Sequence, residues 1–333
     1  MRHSISLVAP PLALLIATTL PSRSRADVTF YTITDLGTLG GATSFANDVN
    51  NLGQVTGNSQ TAASNPSPRL NAFLTGPQGS APTNLGVLPG SNNFSRGYAV
   101  NDSGVVVGES DNNRSQAFRY ENGVMTNLGS LGGGSGVAHD INNAGRIVGT
   151  SSNGVSSRPF LYENGAMRDL GTLAGTNDTF GRSFGLSQSG LIAGTSARGG
   201  TLSSHATLWS GGVGGSITDL GSLIAPTNYS QAYAVNDAGQ VVGSSVVGTV
   251  SPTSSTELYH AFRWRGGSMV DLGTLASQAT YIHSEARDID ASGLAVGYVA
   301  RIYNAATSGG AAVTWYADGS ITDLNTRLLN ASG

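Results

Sequence analysis

Short apolar runs alternate along this chain with clusters of Asn, Asp, Ser and Gly, and the same order of runs returns repeatedly. A run such as Val137 to Ile141 or Ala232 to Val235 leads into a polar turn, and a Val-rich run such as VVVG or RIVG follows. After a variable stretch comes a segment alternating small and aromatic residues, and a last short run ends in Asp-Leu-Gly. Runs of this length, bounded by turn residues, predict strands. No segment sustains a 3.6-residue apolar period with helix caps. The chain therefore reads as all-β.

The turns set the period. Six copies of one motif occur: NNLGQVTG, NDSGVVVG, NNAGRIVG, SQSGLIAG, NDAGQVVG and DASGLAVG. Their first glycines are Gly53, Gly104, Gly145, Gly190, Gly239 and Gly293, spaced 48 residues apart on average. A second signature starts at Asn71, Gln116, Arg158, His205, His260 and Ala312, reading NAFLT, QAFRY, RPFLY, HATLW, HAFRW and AVTWY. A third closes each unit as TNLG, TNLG, RDLG, TDLG, VDLG and TDLN. Between the last two lie tight-turn pairs, Asn122-Gly123 and Asn164-Gly165 among them, which are strong two-residue hairpin signals.

Four short antiparallel strands per repeat of this length describe a propeller blade. The expected fold is a β-propeller of six four-stranded blades, at approximately 43–90, 91–134, 135–175, 176–226, 227–278 and 279–330. A β-solenoid would use shorter coils, and isolated four-stranded beads could not each bury a core. One TDLG, Thr34 to Gly37, stands ahead of the first full repeat. It either closes the ring as a fourth strand of the last blade or shows that blades begin with this strand. The sequence leaves that phase open.

Composition narrows the class. Glycine supplies 47 of 333 residues, charged residues 11% and cysteine none. No disulfide framework, zinc-thiolate site or thiol nucleophile is available. The net charge of −3 is too small for a polyanion binder, so nucleic acid is not expected as a partner. The glycine excess falls largely at the repeated turns and closing motifs, where tight turns and close strand approach require it.

At the N-terminus, Arg2 precedes an apolar stretch from Leu7 to Leu20, followed by Ser24-Arg25-Ala26. That stretch is short for a membrane span, and small residues stand where a signal peptidase reads. Residues 1–26 are expected to be a signal peptide, leaving 27–333 as one exported domain, extracellular or periplasmic, with no transmembrane segment in the mature chain.

The DLGTLGG segment at 35–41, the IN-x-x-G-x-x-x-G turn and the His-Ala-Phe tripeptide at 260–262 together resemble the bacterial extracellular HAF repeat family. The resemblance spans about 300 residues. It implies repeat architecture and export, and it brings no catalytic residues to carry over. The motif departs to His-Ala-Thr at 205–207 and is lost at 312–315.

Candidate chemistry is sparse. Phe94, Phe180 and Tyr229 each lie seven residues before the turn Asn or Ser, and Arg96 and Arg182 lie two residues further on. Tyr281, His283 and Glu285 occupy the similar stretch of the last repeat. An aromatic beside a planar guanidinium suits a sugar ring, a base or an acidic group. The simpler reading of the same aromatics is that they fill gaps between neighbouring blades. In a blade of this kind the short 1–2 and 3–4 turns share one face, and the variable 2–3 and 4–1 connections share the other. The variable face is where binding is expected.

His205 and His260 share a position with Asn71, Gln116 and Arg158, which favours a structural hydrogen-bonding role. His139-Asp140 and the pair His283 and Glu285 are the best acid–base or metal candidates, but neither recurs with zinc-ligand spacing. Asp288-Ile289-Asp290 lacks the Gly and distal Glu of a calcium loop. Gly132 to Gly136 lacks a following GK[ST], so no phosphate cradle is expected. Asp35, Asp169, Asp219, Asp271 and Asp323 recur in the closing motif and read as caps on turn amides.

The resulting expectation is a non-catalytic binding or scaffolding module for a surface glycan or an envelope protein, with no cofactor or metal. Two alternatives stand beside it: a propeller hydrolase or lyase acting on polysaccharide, and a purely structural matrix protein.

Overall fold

The structure, a computed structural model, describes residues 31, 33–62, 69–90, 94–111, 114–175, 179–199, 204–224, 228–249, 256–275, 282–300 and 310–328. The 1–26 segment and Tyr281 lie outside the described residues.

Six antiparallel sheets of four strands form a ring of blades, each sheet in chain order. Blade 1 is made of Gly40–Val49, Val55–Thr61, Leu70–Thr75 and Pro82–Gly86. The first strands of blades 2 to 6 are Ser95–Val100, Gly136–Ile141, Gly181–Leu186, Ser230–Val235 and His283–Ile289. The open question of phase is answered: the Asp-Leu-Gly run is the fourth strand, and Ile321–Asp323 fills that place in blade 6. The alternating small-and-aromatic segment is the third strand. In blade 6 its register is one residue earlier than the sequence motif suggests. Trp315 pairs with Ala295, as Trp264 pairs with Val241 in blade 5, so Ala311 and not Ala312 stands where His260 does.

Each turn is built as its residues dictate. Asn122 and Gly123 take φ of 50° and 82°, the left-handed pair a two-residue hairpin needs. In the longer turn, Asn50 Oδ1 accepts from the amides of Leu52 and Gln54, while Gly53 sits at φ 71°. Asn101, Asn142 and Asp290 repeat this bonding. The Asn side chain also reaches its neighbour: Asn50 Nδ2 donates to Asn101 O, Asn101 to Asn142 O, Asn142 to Ser187 O and Asn236 to Asp290 O. From blade 1 to blade 6 these amides tie neighbouring blades along the turn face except between blades 4 and 5, where Ser189 N donates to Asp237 instead.

The closing Asp behaves as a cap throughout. Asp169, Asp219 and Asp271 Oδ1 each accept from the glycine amide two residues on, as Asn84 and Asn127 do in their blades. The same group holds the first residue of the small-and-aromatic motif on the third strand. Arg158 pairs with Asp169, His205 with Asp219 and His260 with Asp271, each at 2.7 to 2.8 Å. Where the closing residue is Asn the partner is an amide: Asn71 to Asn84 and Gln116 to Asn127. His205 and His260 are therefore structural partners of a repeated cap.

The core lies between blades. Phe73, Phe118, Phe160 and Phe262 are buried, as are Trp209 and Trp315. One cluster joins Val107 and Ala117 of blade 2 to Ile141, Ile147 and Phe160 of blade 3.

The interface between blades 6 and 1 differs from the other five. The first strand of blade 1 is largely exposed, with Phe45 at 58%, whereas the first strands of blades 2 to 5 are mostly buried. Asp290 carries no amide to donate onward. The N-terminal segment spans this seam: Tyr31 N donates to Arg327 O at 2.8 Å, and Ser44 Oγ donates to Gly37 O. Ser95, Ser230 and Ser284 make the same bond to Gly86, Gly221 and Gly273 of the preceding blade. The early TDLG thus supplies blade 1 with the junction that a preceding blade gives the others, without replacing the last strand of blade 6.

Candidate functional site

The second glycine of each turn motif determines what faces the axis. Gly57, Gly108, Gly149, Gly194, Gly243 and Gly297 lie beside a register shift in the first strand. A Cβ at any of them would fall 1.8 to 2.0 Å from a first-strand carbonyl oxygen. Only glycine lets that carbonyl come in, and the strand bulges there. A bulge re-aims the extra residue. The re-aimed residues are Asn47, Tyr98, His139, Phe184, Tyr233 and Arg287, each six positions before the first turn glycine.

All six line one cavity of about 230 Å³. Their rings follow each other around the axis: Tyr98 to His139 at 5.8 Å, His139 to Phe184 at 5.1 Å and Phe184 to Tyr233 at 6.0 Å between centroids. The Arg287 guanidinium lies 4.2 Å from the Tyr233 ring centre, and Asn47 Nδ2 donates to Gly97 O at 2.7 Å. This girdle divides the channel. On the turn side the cavity wall continues into Asp48, Asp140, Asp237, Asp288 and Asp290. This concave site thus opens on the short-turn face and not on the variable face, where binding is expected.

Burial holds His139 far below its ordinary value, to about 4, with the Arg182 charge adding to the effect, so this imidazole is neutral at pH 7. Its neighbour Asp140 accepts from the amides of Ile141 and Leu186 at 2.5 and 2.7 Å. His139 and Asp140 are accordingly a girdle residue and an inter-blade tie, not an acid–base dyad.

On the other side of the girdle lie the sequence candidates. Arg96 stands over Phe94 at 4.4 Å and Arg182 over Phe180 at 4.9 Å, so both proposed pairs exist, on blades 2 and 4. Arg96 also bonds Glu109 at 2.8 Å, and Tyr98 Oη donates to the same carboxylate at 2.7 Å. Because Arg96 and Tyr98 both reach Glu109, they share the channel side of their strand. Burial, with the bonded Glu109, pushes the Tyr98 hydroxyl up to about 12. Arg182 is exposed, and among the described residues no carboxylate forms an ion pair with it.

The remaining candidates group differently. Tyr229 packs edge-on against Tyr259, which stacks on His283 at 6.3 Å, joining blades 5 and 6. These aromatics do fill the space between blades. His283, and not Tyr281, takes the position of Phe94. It is buried, its Nδ1 accepts from Tyr259 N at 3.2 Å, and burial lowers its pKa. Glu285 is buried and paired to Arg287 at 2.5 Å. Among the described residues no three His, Asp or Glu side chains are grouped as metal ligands.

Sequence reasoning missed the girdle. Its signal was positional alone, a fixed distance of six from a glycine, since Asn, Tyr, His, Phe and Arg share no chemistry.

No family model matches this chain. No curated protein matches it either. Among solved structures the chain is similar to the β-propeller domain of the Trilobed protease from Pyrococcus furiosus, described as having an open velcro topology. The identity is 10%, the TM-score 0.51, and the match covers 84% of this chain and 81% of that one. At that identity the likeness speaks to the fold alone, which agrees with the propeller seen here.

Proposed function

We propose that this chain is exported, as its resemblance to extracellular HAF repeats implies, that it acts as a non-catalytic binding or scaffolding module, and that it takes an acidic surface glycan on the variable face. The observation that carries this is the Arg182–Phe180 pair. The guanidinium is exposed, stacked 4.9 Å from an aromatic ring and without an ion-pair partner among the described residues. A sugar carboxylate satisfies a guanidinium fork bidentately, and a sugar's C–H face packs on an aromatic. Phe94 with Arg96 repeats the stacking two blades away, though there the guanidinium is already paired with Glu109. An acidic segment of an envelope protein is the other partner this chemistry accepts.

A polysaccharide-cleaving propeller is the second reading, and the buried Glu109 and Glu285 are what favour it. Each is already bonded to an Arg, and Glu109 to a tyrosine hydroxyl as well. A purely structural matrix role has no use for a concave axial site.

A glycan array and pull-down on residues 27–333 tests the proposal. Saturable binding to acidic glycans, lost in a Phe94→Ala/Phe180→Ala/Tyr229→Ala variant that still folds, supports it. Binding unchanged in that variant removes the site, and turnover of any polysaccharide removes the non-catalytic reading.

A further inference from the structure

The cavity on the turn side of the girdle has its own chemistry, independent of the proposed glycan face. At about 230 Å³ it is smaller than the roughly 300–1,000 Å³ of drug-sized ligand sites. It admits a small molecule and no oligosaccharide. Its inner wall is aromatic, formed by Tyr98, Phe184 and Tyr233 with the neutral His139 between the first two. The molecule already places one cation against this wall: the Arg287 guanidinium, 4.2 Å from the Tyr233 ring centre. Arg287 is neutralised by Glu285, so it brings no net positive charge to the site.

The outer wall is anionic. Asp48 accepts from Val100 N at 2.9 Å, Asp140 from Leu186 N at 2.7 Å and Asp237 from Ser189 N at 2.7 Å. Backbone donors of this kind favour the ionised carboxylate. Asp237 is held below its ordinary pKa by its bonds from Ser189 and Ser187, which outweigh its burial. Asp288 and Asp290 complete the wall. Aromatic faces on one side and carboxylates on the other form the environment that attracts an organic cation and disfavours an anion.

We propose that this cavity binds a small organic cation, of the quaternary ammonium or alkylamine class, between the aromatic girdle and the turn-face carboxylates. The bulge at each second glycine makes the site, because it turns the girdle residues toward the axis. The seam between blades 6 and 1 borders the cavity through Asn47, Asp48, Arg287 and Asp288.

Isothermal titration of choline into the full chain tests this, with 3,3-dimethylbutan-1-ol as the neutral isostere of the same shape. Choline is expected to bind saturably in the roughly millimolar range and the isostere at least tenfold more weakly. Phe184→Leu, which removes the π system and keeps an apolar side chain of most of the bulk, is expected to weaken choline about tenfold, while Tyr98→Phe keeps it. Asp237→Asn on the rim should weaken it about threefold, with the loss shrinking at high salt. Equal affinity for choline and the isostere overturns the proposal, because shape and hydrophobicity then suffice. Absence of choline binding to the wild-type protein up to about 30 mM overturns it as well. So does unchanged affinity in a folded Phe184→Leu variant.

Discussion

Gly149→Ala adds one methyl group and tests the origin of the girdle. Gly149 has ordinary strand φ, so its requirement for glycine is purely steric. A Cβ there would stand 2.0 Å from Val137 O and 2.8 Å from the Phe160 ring. The first contact is more than an ångström inside van der Waals distance and involves backbone, which no rotamer change relieves. Such overpacking costs about 3 kcal/mol. Gly123→Ala is the control: its φ is 82° and nothing lies within 4 Å of the added methyl, so only left-handed strain of about 1 kcal/mol is incurred. Urea denaturation of the two variants should differ by about 2 kcal/mol, Gly149→Ala being the weaker. NMR titration of His139 gives a second readout. Its pKa is about 4 while the bulge buries it, and it should rise toward the ordinary value of about 6.5 once Val137 is pushed away. Equal stabilities, or a His139 pKa that does not move in a folded Gly149→Ala protein, would refute the link between glycine and girdle.

Three further outcomes follow from the same geometry. Asp169→Asn leaves the buried Arg158 without its carboxylate and should cost roughly 2 kcal/mol, less than a fully buried pair because Asp169 is 31% exposed; the double variant Arg158→Gln/Asp169→Asn, which copies blade 2, should recover most of it in urea denaturation. Burial works against ionisation of Asp219 and Asp271, but bonds from His205, His260 and the following glycine amides outweigh it and hold both carboxyls below their ordinary range. Their stabilisation is therefore full above about pH 4 and fades as pH falls through the lowered native value, so the thermal-midpoint gap between wild type and Asp271→Asn should close in acid. Hydrogen exchange should be faster at Phe45 and Ala46 than at the matching Arg96 and Gly97, because the first strand of blade 1 is uncovered at the seam; equal protection would mean blade 6 covers it as the others are covered.

The architecture was legible because repetition multiplies a weak signal. One Asn-x-x-Gly turn means little, whereas six in register with Asp-Leu-Gly fix strand count and turn type. The pairing of His205 with Asp219 was half visible: both repeats were apparent, but only the antiparallel register of strands three and four puts them side by side. Blade 6 was misaligned by one because its Thr-Trp follows Val313 where Phe262 stands in blade 5, and an aromatic at the next position mimicked the pattern. The site was legible in part. Phe94–Arg96 and Phe180–Arg182 could be paired from spacing alone, since residues two apart share one side of a strand. The girdle could not, because a bulge breaks that alternation and its cause lies on the neighbouring strand, in a missing Cβ.

The exposed, stacked Arg182 guanidinium on the variable face is proposed to recognise an acidic ligand. Isothermal titration of a uronic-acid oligosaccharide and its neutral, carboxyl-reduced counterpart into wild type and Arg182→Gln tests it most directly. The acidic ligand should bind wild type and lose about tenfold in affinity in Arg182→Gln, with the neutral ligand weak against both. Equal binding of the two ligands, or an acidic ligand indifferent to Arg182, would contradict it.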